Sequence, residues 1–561
     1  MASERTTLPP DVLHLLCDEL SARNDFSSLY NCLVSSRQIA ASGAINALYR
    51  ISHECFGRAN PEGEPVEDAP AAEARQITQK NSILWRTIIM SALGQTSYPY
   101  YKHLRVLDLR DLSNMLQDDT FRSAQMYDYF FSGPLAPFMI TVKATRSKQL
   151  VDQLKIKDTV AAIGDVIVDQ AHLLEALTEH AIETVFSMRL QRWLPKLQNL
   201  RRLDVGDGRV LADESLRSLI HKHCLNFSEL RIFSFADDAA DTHLAALIGG
   251  LPENTIVLFE NISDCKINTL TCSALNKHGK SLRTLSLALM DDGLLALAKL
   301  SDCTRLTTFA IDWLRQTPGL YTSKKDACEE IAEWLKGCNT LSDVTLKNIS
   351  FAPELLSPLL RGSQASLTSL TLTATESALY DIRSQSEFHN LLGQQRELNE
   401  LILAANADDA SFEDRAVMLT ALCNLKSLRK LRVTRLADDF VGADLQELTD
   451  HLTNLEDLYI GGIGYTDDNL QSLGKLPRLR NLVVAGLSRF TADGLLDFVL
   501  NLGDGNHGLS LQIDLADFDY AIRDEQQVLI SETLAARVAG VFRYALSRDP
   551  NIPEYDSSDS D

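Results

Sequence analysis

One pattern returns through most of this chain: leucine, two residues, an apolar residue, one residue, an apolar residue. It reads LRVLDL at 104–109, LRRLDV at 200–205, LRIFSF at 230–235, LRTLSL at 282–287 and LTTFAI at 306–311. It continues as LSDVTL at 341–346, LTSLTL at 367–372, LNELIL at 398–403, LRKLRV at 428–433, LEDLYI at 455–460 and LRNLVV at 479–484, with a degenerate IVLFEN at 256–261. From residue 200 onward the starts lie 24 to 35 residues apart. The second half of the pattern alternates apolar and variable residues, which predicts a short strand with one buried face. The segments that follow carry apolar residues at helical spacing, as in LRSLIHKHC after Asp213 and LLALAKL after Gly293. Neither element buries its apolar side alone. Stacking the units in parallel does, so the expected fold is an α/β solenoid with parallel strands on the concave side and helices on the convex side.

This period is that of leucine-rich repeats. The copies resemble the cysteine-containing subfamily, with a cysteine three residues before the first leucine in Cys303-T-R-Leu306 and Cys338-N-T-Leu341. The Thr-Asp steps of YTDDNLQSL (465–473) and FTADGLL (490–496) suit the same subfamily. The interval 110–199 holds no clear copy. Its pattern is helical over 145–195, as an insertion or as two diverged repeats. Asp doublets at 237–238, 291–292, 408–409, 438–439 and 467–468 follow the strands. They are expected to cap the incoming helices; the alternative is an acidic rim for a basic partner or a divalent cation.

Residues 8–51 do not follow the repeat. Leu8-Pro9 opens a helix striped by Val12, Leu13, Leu15, Leu16 and Leu20; Asp25 caps a second carrying Phe26 and Leu29; Leu33, Val34 and Ile39 open a third. This segment resembles an F-box, on Leu8-Pro9, Asp11, the run Val12–Leu16, Asp25-Phe26 and Val34-Ser35, and ALYRI (47–51) looks like the end of many fungal F-box segments. The aromatic usual after the Val-Ser step is missing, with Gln38 in that region. The resemblance implies a segment (1–51) that docks on the Skp-type adaptor of a cullin–RING ubiquitin ligase through Leu8, Pro9, Leu13, Leu16, Phe26, Leu33 and Val34, while the repeats hold a protein substrate. It implies a substrate receptor without catalytic residues or cofactor.

The remaining boundaries come from composition. Residues 52–81 include GRANPEGEPVEDAPAAEAR and are expected to form a flexible linker. The packed body then runs over 82–520, a C-terminal capping helix over 521–547, and a disordered acidic tail over 548–561. Acidic residues number 76 against 54 basic ones, a net charge of −22, which argues against nucleic acid or an anionic membrane as partner. No long apolar run suggests a spanning helix. Scattered cysteines and an N-terminus without signal-peptide features suggest a cytoplasmic or nuclear protein.

The variable strand positions would face a ligand. Arg429, Lys430 and Arg432 share one strand, with Glu456, Asp457 and Tyr459 on the next and Arg480 beyond. Arginine suits bidentate recognition of carboxylate or phosphate, so this face is expected to take an acidic or phosphorylated substrate segment. Enzyme signals are weak. ALNKHGKS (274–281) reverses the strand-then-helix order of a phosphate loop, Gly503-D-Gly505-N-H-Gly508 has no βαβ unit around it, and His221, His223 and Cys224 have no second cluster to complete a metal site. Two other functions remain open: a repeat scaffold whose N-terminal helices only cap the solenoid, and a GTPase-activating repeat protein, suggested by the acidic tail.

Overall fold

A computed structural model of the chain describes residues 8–546 apart from 24, 51–70, 147–148, 181, 183, 264, 316, 363–365 and 437. The chain divides into two compact units, Met1–Ser281 and Leu282–Asp561.

The first unit opens with helix α1 (Pro10–Ala22) and helix α2 (Phe26–Ser35). A third helical stretch starts at Arg37–Ile39, widens to a π turn over Ala40–Ala44 and ends as Ile45–Leu48. Five parallel strands follow in this unit: Val106–Asp108, Ala176–Thr178, Arg202–Asp207, Glu229–Ser234 and Leu258–Asn261. Their register aligns Leu107, Leu177, Leu203, Leu230 and Phe259, all fully buried. In the second unit the strands Thr284–Leu289, Thr308–Trp313, Asp343–Lys347, Ser369–Thr373, Glu400–Asn406, Lys430–Thr434, Asp457–Ile460, Asn481–Ser488, Ser510–Ala516 and Val541–Leu546 pair in parallel in that order. Parallel neighbours require a crossover, and a helix supplies it in most repeats. The helices Lys325–Lys336, Ala352–Arg361, Ser386–Leu392 and Phe412–Cys423 pack each on the next, forming the layer that covers one face of the strands.

One backbone motif repeats at most strand starts. The carbonyl of the residue after the first leucine accepts two successive amides of the following repeat. Arg201 accepts from Ser228 and Glu229 at 2.9 Å each, and Arg429 accepts from Glu456 and Asp457. This ties one turn to the next without using a side chain.

Several expectations are corrected. The stretch 71–81, read as linker, belongs to the helix Ala71–Ala92, and Ile77, Thr78 and Asn81 on it are buried; residues 52–70 lie outside the described residues. Helices are the commonest element of the interval 110–199, but it is not helical throughout. It holds the antiparallel hairpin Thr141–Arg146 with Gln149–Leu154, the helix Ile156–Val168, the strand Ala176–Thr178 and the helix Phe186–Trp193. It is therefore one complete repeat beginning at Leu174, preceded by an insertion. The C-terminal helix stops at Val538, where Ala539 turns left-handed (φ 56°), and VFRYAL forms a strand instead. The tail lies outside the described residues.

The copy at 230 begins three residues earlier than LRIFSF. Leu230 aligns with Leu203, the second leucine of its neighbour, so the unit is FSELRI at 227–232. Cys224 then falls three residues before its first apolar residue. Its Sγ lies 3.8 Å from the Leu197 carbonyl, as Cys338 Sγ lies 3.6 Å from the Cys303 carbonyl. Burial pushes both thiols up to about 12, so they remain protonated donors.

The aspartates near helix starts act largely across repeats. Asp241 accepts the amides of Asn268, Leu270 and Thr271 at 2.8–3.1 Å, where the next helix begins. Asp467 accepts the amide and hydroxyl of Thr491, which caps the following helix. Asp237 receives the Ala239 amide locally, and Ser411 rather than the 408–409 doublet caps its helix.

Candidate functional site

Helix α1 carries two apolar stripes. Leu13, Cys17 and Leu20 follow i, i+4, i+7 and turn inward, where Cys17 packs with Phe26, Leu29, Ala44 and Ala47. Val12, Leu15 and Leu16 form the second stripe, extended by Leu8 just before the helix, and all four are exposed, Leu15 at 66%. Helix α2 repeats the division. Phe26 and Leu29 are buried, Cys32 and Leu33 are partly buried, while Tyr30 and Val34, one turn apart, are exposed. The connections that hold the helices are polar and local. Asp25 accepts the Ser28 amide at 3.0 Å, and the Ser28 side chain together with that amide lowers its carboxyl from the usual value. Ser36 accepts the Gln38 amide at 3.2 Å. A Cβ at Gly43 would lie 3.0 Å from His14 Nδ1 and 3.3 Å from Cys17 Cβ, so a glycine lets the third stretch approach α1.

The seven residues assigned to adaptor docking thus separate. Leu8, Pro9, Leu16 and Val34 are exposed, and Leu33 is half-buried. Leu13 and Phe26 are corrected to core positions, because the helical period places them on the inward stripes. Val12, Leu15 and Tyr30 join the exposed face. Val12 and Leu15 were visible in the apolar run; Tyr30 was signalled only by its spacing from Val34.

The N-terminal helices are also built into the first repeat. The Arg50 carbonyl accepts the amides of Arg105 at 2.8 Å and Val106 at 3.1 Å. Arg105 in turn accepts from Glu175 and Ala176. Arg50 therefore occupies the place that a preceding repeat would hold. Tyr49 stacks near Tyr100 with ring centroids 4.3 Å apart, and burial between Tyr100 and Tyr30 pushes its hydroxyl up to about 12.

The strand-lined residues form ion pairs with one another. Lys430 Nζ lies 3.2 Å from Glu400, Arg429 lies 3.5 Å from Glu456, and Arg432 lies 2.8 Å from Asp457. Tyr459 is opposite Arg432 in the register, and burial together with Asp514 and Asp438 pushes its hydroxyl up. Arg480 is exposed. In the first unit Arg231 pairs with Glu260 at 2.9 Å and Arg202 with Asp204 at 3.5 Å. Of the four cations expected to converge on a ligand, Arg429, Lys430 and Arg432 are thus offset by acids on neighbouring strands, which leaves little local charge to select an acidic one. The same side of the first unit carries the exposed apolar residues Phe233 and Ile262, which the charge count passed over.

The discounted motifs have structural roles. His221 Nε2 lies 2.8 Å from the Leu247 carbonyl. His278 is buried, with Nε2 3.1 Å from the Ile248 carbonyl and Nδ1 accepting the Thr255 amide. Among the described residues there is no cluster of three metal-ligating side chains, and no helix is long and apolar enough to cross a membrane.

Strand-and-helix units of this period, stacked in parallel register, define the leucine-rich-repeat fold. No known family model and no curated protein matches the chain. Among solved structures it is similar to an internalin of Listeria monocytogenes at 15% identity, covering 66% of this chain and 84% of that one with a TM-score of 0.33. It is similar to a chain of the Rad7 and Elc1 complex in yeast at 16% identity, covering 61% and 79% with a TM-score of 0.30. A third similarity is to the TLR13–ssRNA13 complex, at 14% identity, 69% and 48% coverage and a TM-score of 0.30. Likenesses of this degree say nothing of function.

Proposed function

We propose that the chain is a substrate-recognition subunit of a Skp–cullin–F-box ubiquitin ligase, with the exposed face of α1 and α2 docking the Skp-type adaptor and the strand-lined face holding a protein substrate. The observation that carries this reading is the second apolar stripe, Leu8, Val12, Leu15 and Leu16 with Tyr30 and Val34, left exposed on helices whose other stripes already complete a core. An exposed apolar helix face marks a protein–protein site. It coincides with the segment that resembles an F-box. In this role the chain performs no chemistry and holds a substrate near the conjugating enzyme, raising its effective concentration there.

The test is binding of the purified full chain to a Skp-type adaptor by calorimetry. Leu15→Glu and Val34→Glu alter exposed side chains, so each is expected to change stability by no more than about 0.5 kcal/mol. Each is expected to weaken adaptor binding by at least about 30-fold, the effect of losing a central interface residue. Leu13→Ala, at 5% exposure, is expected to destabilise the helices by about 2–5 kcal/mol. Wild-type protein that binds no adaptor would refute the proposal.

A second reading is favoured by the Arg50 carbonyl, which ties the helices to the first strand: they cap the repeats of a scaffold. That reading requires no adaptor. It predicts exposed aggregation-prone repeat surface when residues 1–50 are removed.

A further inference from the structure

The strand layer of the second unit is widened where its strands end. After Asp457–Ile460 the chain adds a short strand, Ile463–Tyr465, which pairs with the last part of Asn481–Ser488. Ile463 aligns with Leu487, and Leu487 aligns with Leu515 of the next strand. Toward the preceding repeat, the Ile463 amide donates to the Phe440 carbonyl at 2.8 Å, as the Leu487 amide donates to that of Gly462. Val441 therefore takes the equivalent place there. Val441, Ile463, Leu487 and Leu515 thus form one row across four consecutive repeats. Val441, Ile463 and Leu515 are 49%, 50% and 42% exposed, and Leu487 is half-buried. Neighbouring strands lie about 4.8 Å apart, so the row is about 14 Å long.

The backbone holds this row in place. Ile463 stands between Gly462 (φ 144°) and Gly464 (φ 72°), both in the region that favours glycine. The Tyr465 hydroxyl donates to the Gly461 carbonyl at 2.6 Å and fixes the turn, and a Cβ at Gly462 would lie 2.1 Å from that hydroxyl. The charges beside the row are acidic. Asp514 precedes Leu515 on its strand, and Asp514 and Asp438 both act on the Tyr459 hydroxyl. Asp408 and Asp439 in turn act on Asp438, against the pull of Arg435. The nearby arginines are occupied. Arg415 pairs with Asp439, Arg432 with Asp457, Arg435 with Glu376 and Arg489 with Asp517, at 2.7–2.9 Å. Asp408, Asp438 and Asp514 have no such ion pair among the described residues.

We infer that the row and its three carboxylates hold an extended segment of a partner protein in which apolar residues alternate with lysine or arginine. The charges select this occupant. An acidic segment would add charge to three carboxylates whose neighbouring arginines are already paired, whereas a basic one supplies what they lack. The length selects the spacing. In an extended segment, residues on one side recur about every 6.7 Å, so three apolar side chains span the row. The alternate residues then stay clear of it and can reach the carboxylates. This inference rests on the reading of the strand-lined face as the site of a protein substrate, and it names the class of that substrate. It replaces the acidic segment that the count of arginines suggested.

The test is fluorescence anisotropy of the full chain with a labelled peptide of alternating lysine and leucine. Peptides alternating lysine with serine, and glutamate with leucine, are measured beside it. The first is expected to bind at least about 10-fold tighter than either of the others. Ile463→Ser together with Leu515→Ser is expected to weaken it by at least about 10-fold. Asp438→Asn together with Asp514→Asn should weaken it by about 2- to 10-fold and flatten its dependence on salt. Thermal melts of both variants should match the wild type, since none of the four side chains is buried. Val528→Ser, at an exposed apolar residue on the helix Asp524–Val538, should change nothing. Leu15→Glu should keep peptide binding while weakening adaptor binding. Adaptor binding without peptide binding would refute this inference alone, and the converse would refute the adaptor reading alone. A serine peptide that binds as well as the leucine one, or variants that bind like the wild type, would overturn the inference. So would a dimer that the paired serine replacement dissociates, since a second copy would then cover the row.

Discussion

Glu179 occupies the sixth position of its repeat, where its aligned neighbours carry Leu109, Val205 and Ile232. Replacing it with leucine would restore the apolar pattern, and the structure predicts that this consensus change destabilises the protein. One carboxylate oxygen accepts the amides of Val185 and Phe186 at 2.9 Å each, and the other accepts Gly206 at 3.1 Å. Leucine leaves three buried amides without an acceptor, at about 1–3 kcal/mol apiece. Burying its own side chain returns only about 2 kcal/mol.

The charge makes the balance depend on pH. Burial raises the Glu179 carboxyl from 4.5 to about 7, against the downward pull of the amides. A folded value above the unfolded one means that the stabilising contribution is complete below pH 4.5 and is lost as pH rises toward 7. That shift corresponds to about 3 kcal/mol. Glu179→Leu should therefore cost about 4 kcal/mol at pH 5 and only about 1 kcal/mol at pH 8. Urea unfolding followed by tryptophan fluorescence would measure this, with Trp193 reporting from the helix that Glu179 caps. Hydrogen exchange at Val185, Phe186 and Gly206 should speed up in the variant. A leucine variant more stable than wild type at pH 5, or a difference that does not change with pH, would refute the reasoning.

Two further outcomes are expected. A Cβ at Gly486 would lie 2.3 Å from the Gly462 carbonyl oxygen and 2.4 Å from its nitrogen, both backbone atoms. Gly486→Ala should cost about 3 kcal/mol in urea unfolding, whereas Gly503→Ala, with open space around it, should stay within about 0.5 kcal/mol of wild type. His389 is fully buried with neither ring nitrogen hydrogen-bonded, and burial lowers its titration from 6.5 to about 4. Its folded value is depressed, so stability is lost as pH falls from 6.5 toward 4, by up to about 3 kcal/mol. His389→Phe should remove that loss, and thermal melts showing the same acid sensitivity as wild type would contradict the assignment.

The repeats were legible because a buried strand face and a buried helix stripe each impose a period, and both periods survive in one dimension. Where a buried position is polar, that signal vanishes. The repeat at 174 went unread because Glu179 replaces its last apolar residue, and only the amides of the next helix and strand make a carboxylate tolerable there. The frame at 230 slipped because FSELRI and LRIFSF both satisfy the pattern, and only the alignment of Leu230 with Leu203 separates them. The segment VFRYAL was read as helix because a short apolar run suits either element. The left-handed turn at Ala539 and the edge offered by Ser510–Ala516 made it a strand.

The candidate sites divide along the same line. Sequence alone determined that α1 is amphipathic, with its apolar residues read as one stripe; burial divides them into two. Which stripe faces solvent depended on α2 and the third helical stretch packing around Cys17. Sequence also counted the charges on Arg429, Lys430 and Arg432. That they are offset by Glu456, Glu400 and Asp457 was decided by strand register. Periodicity is a property of neighbours along the chain and can be read from order alone. Pairing between residues some thirty positions apart arises only when repeats stack, and it is there that a charge becomes a ligand site or half of an internal pair.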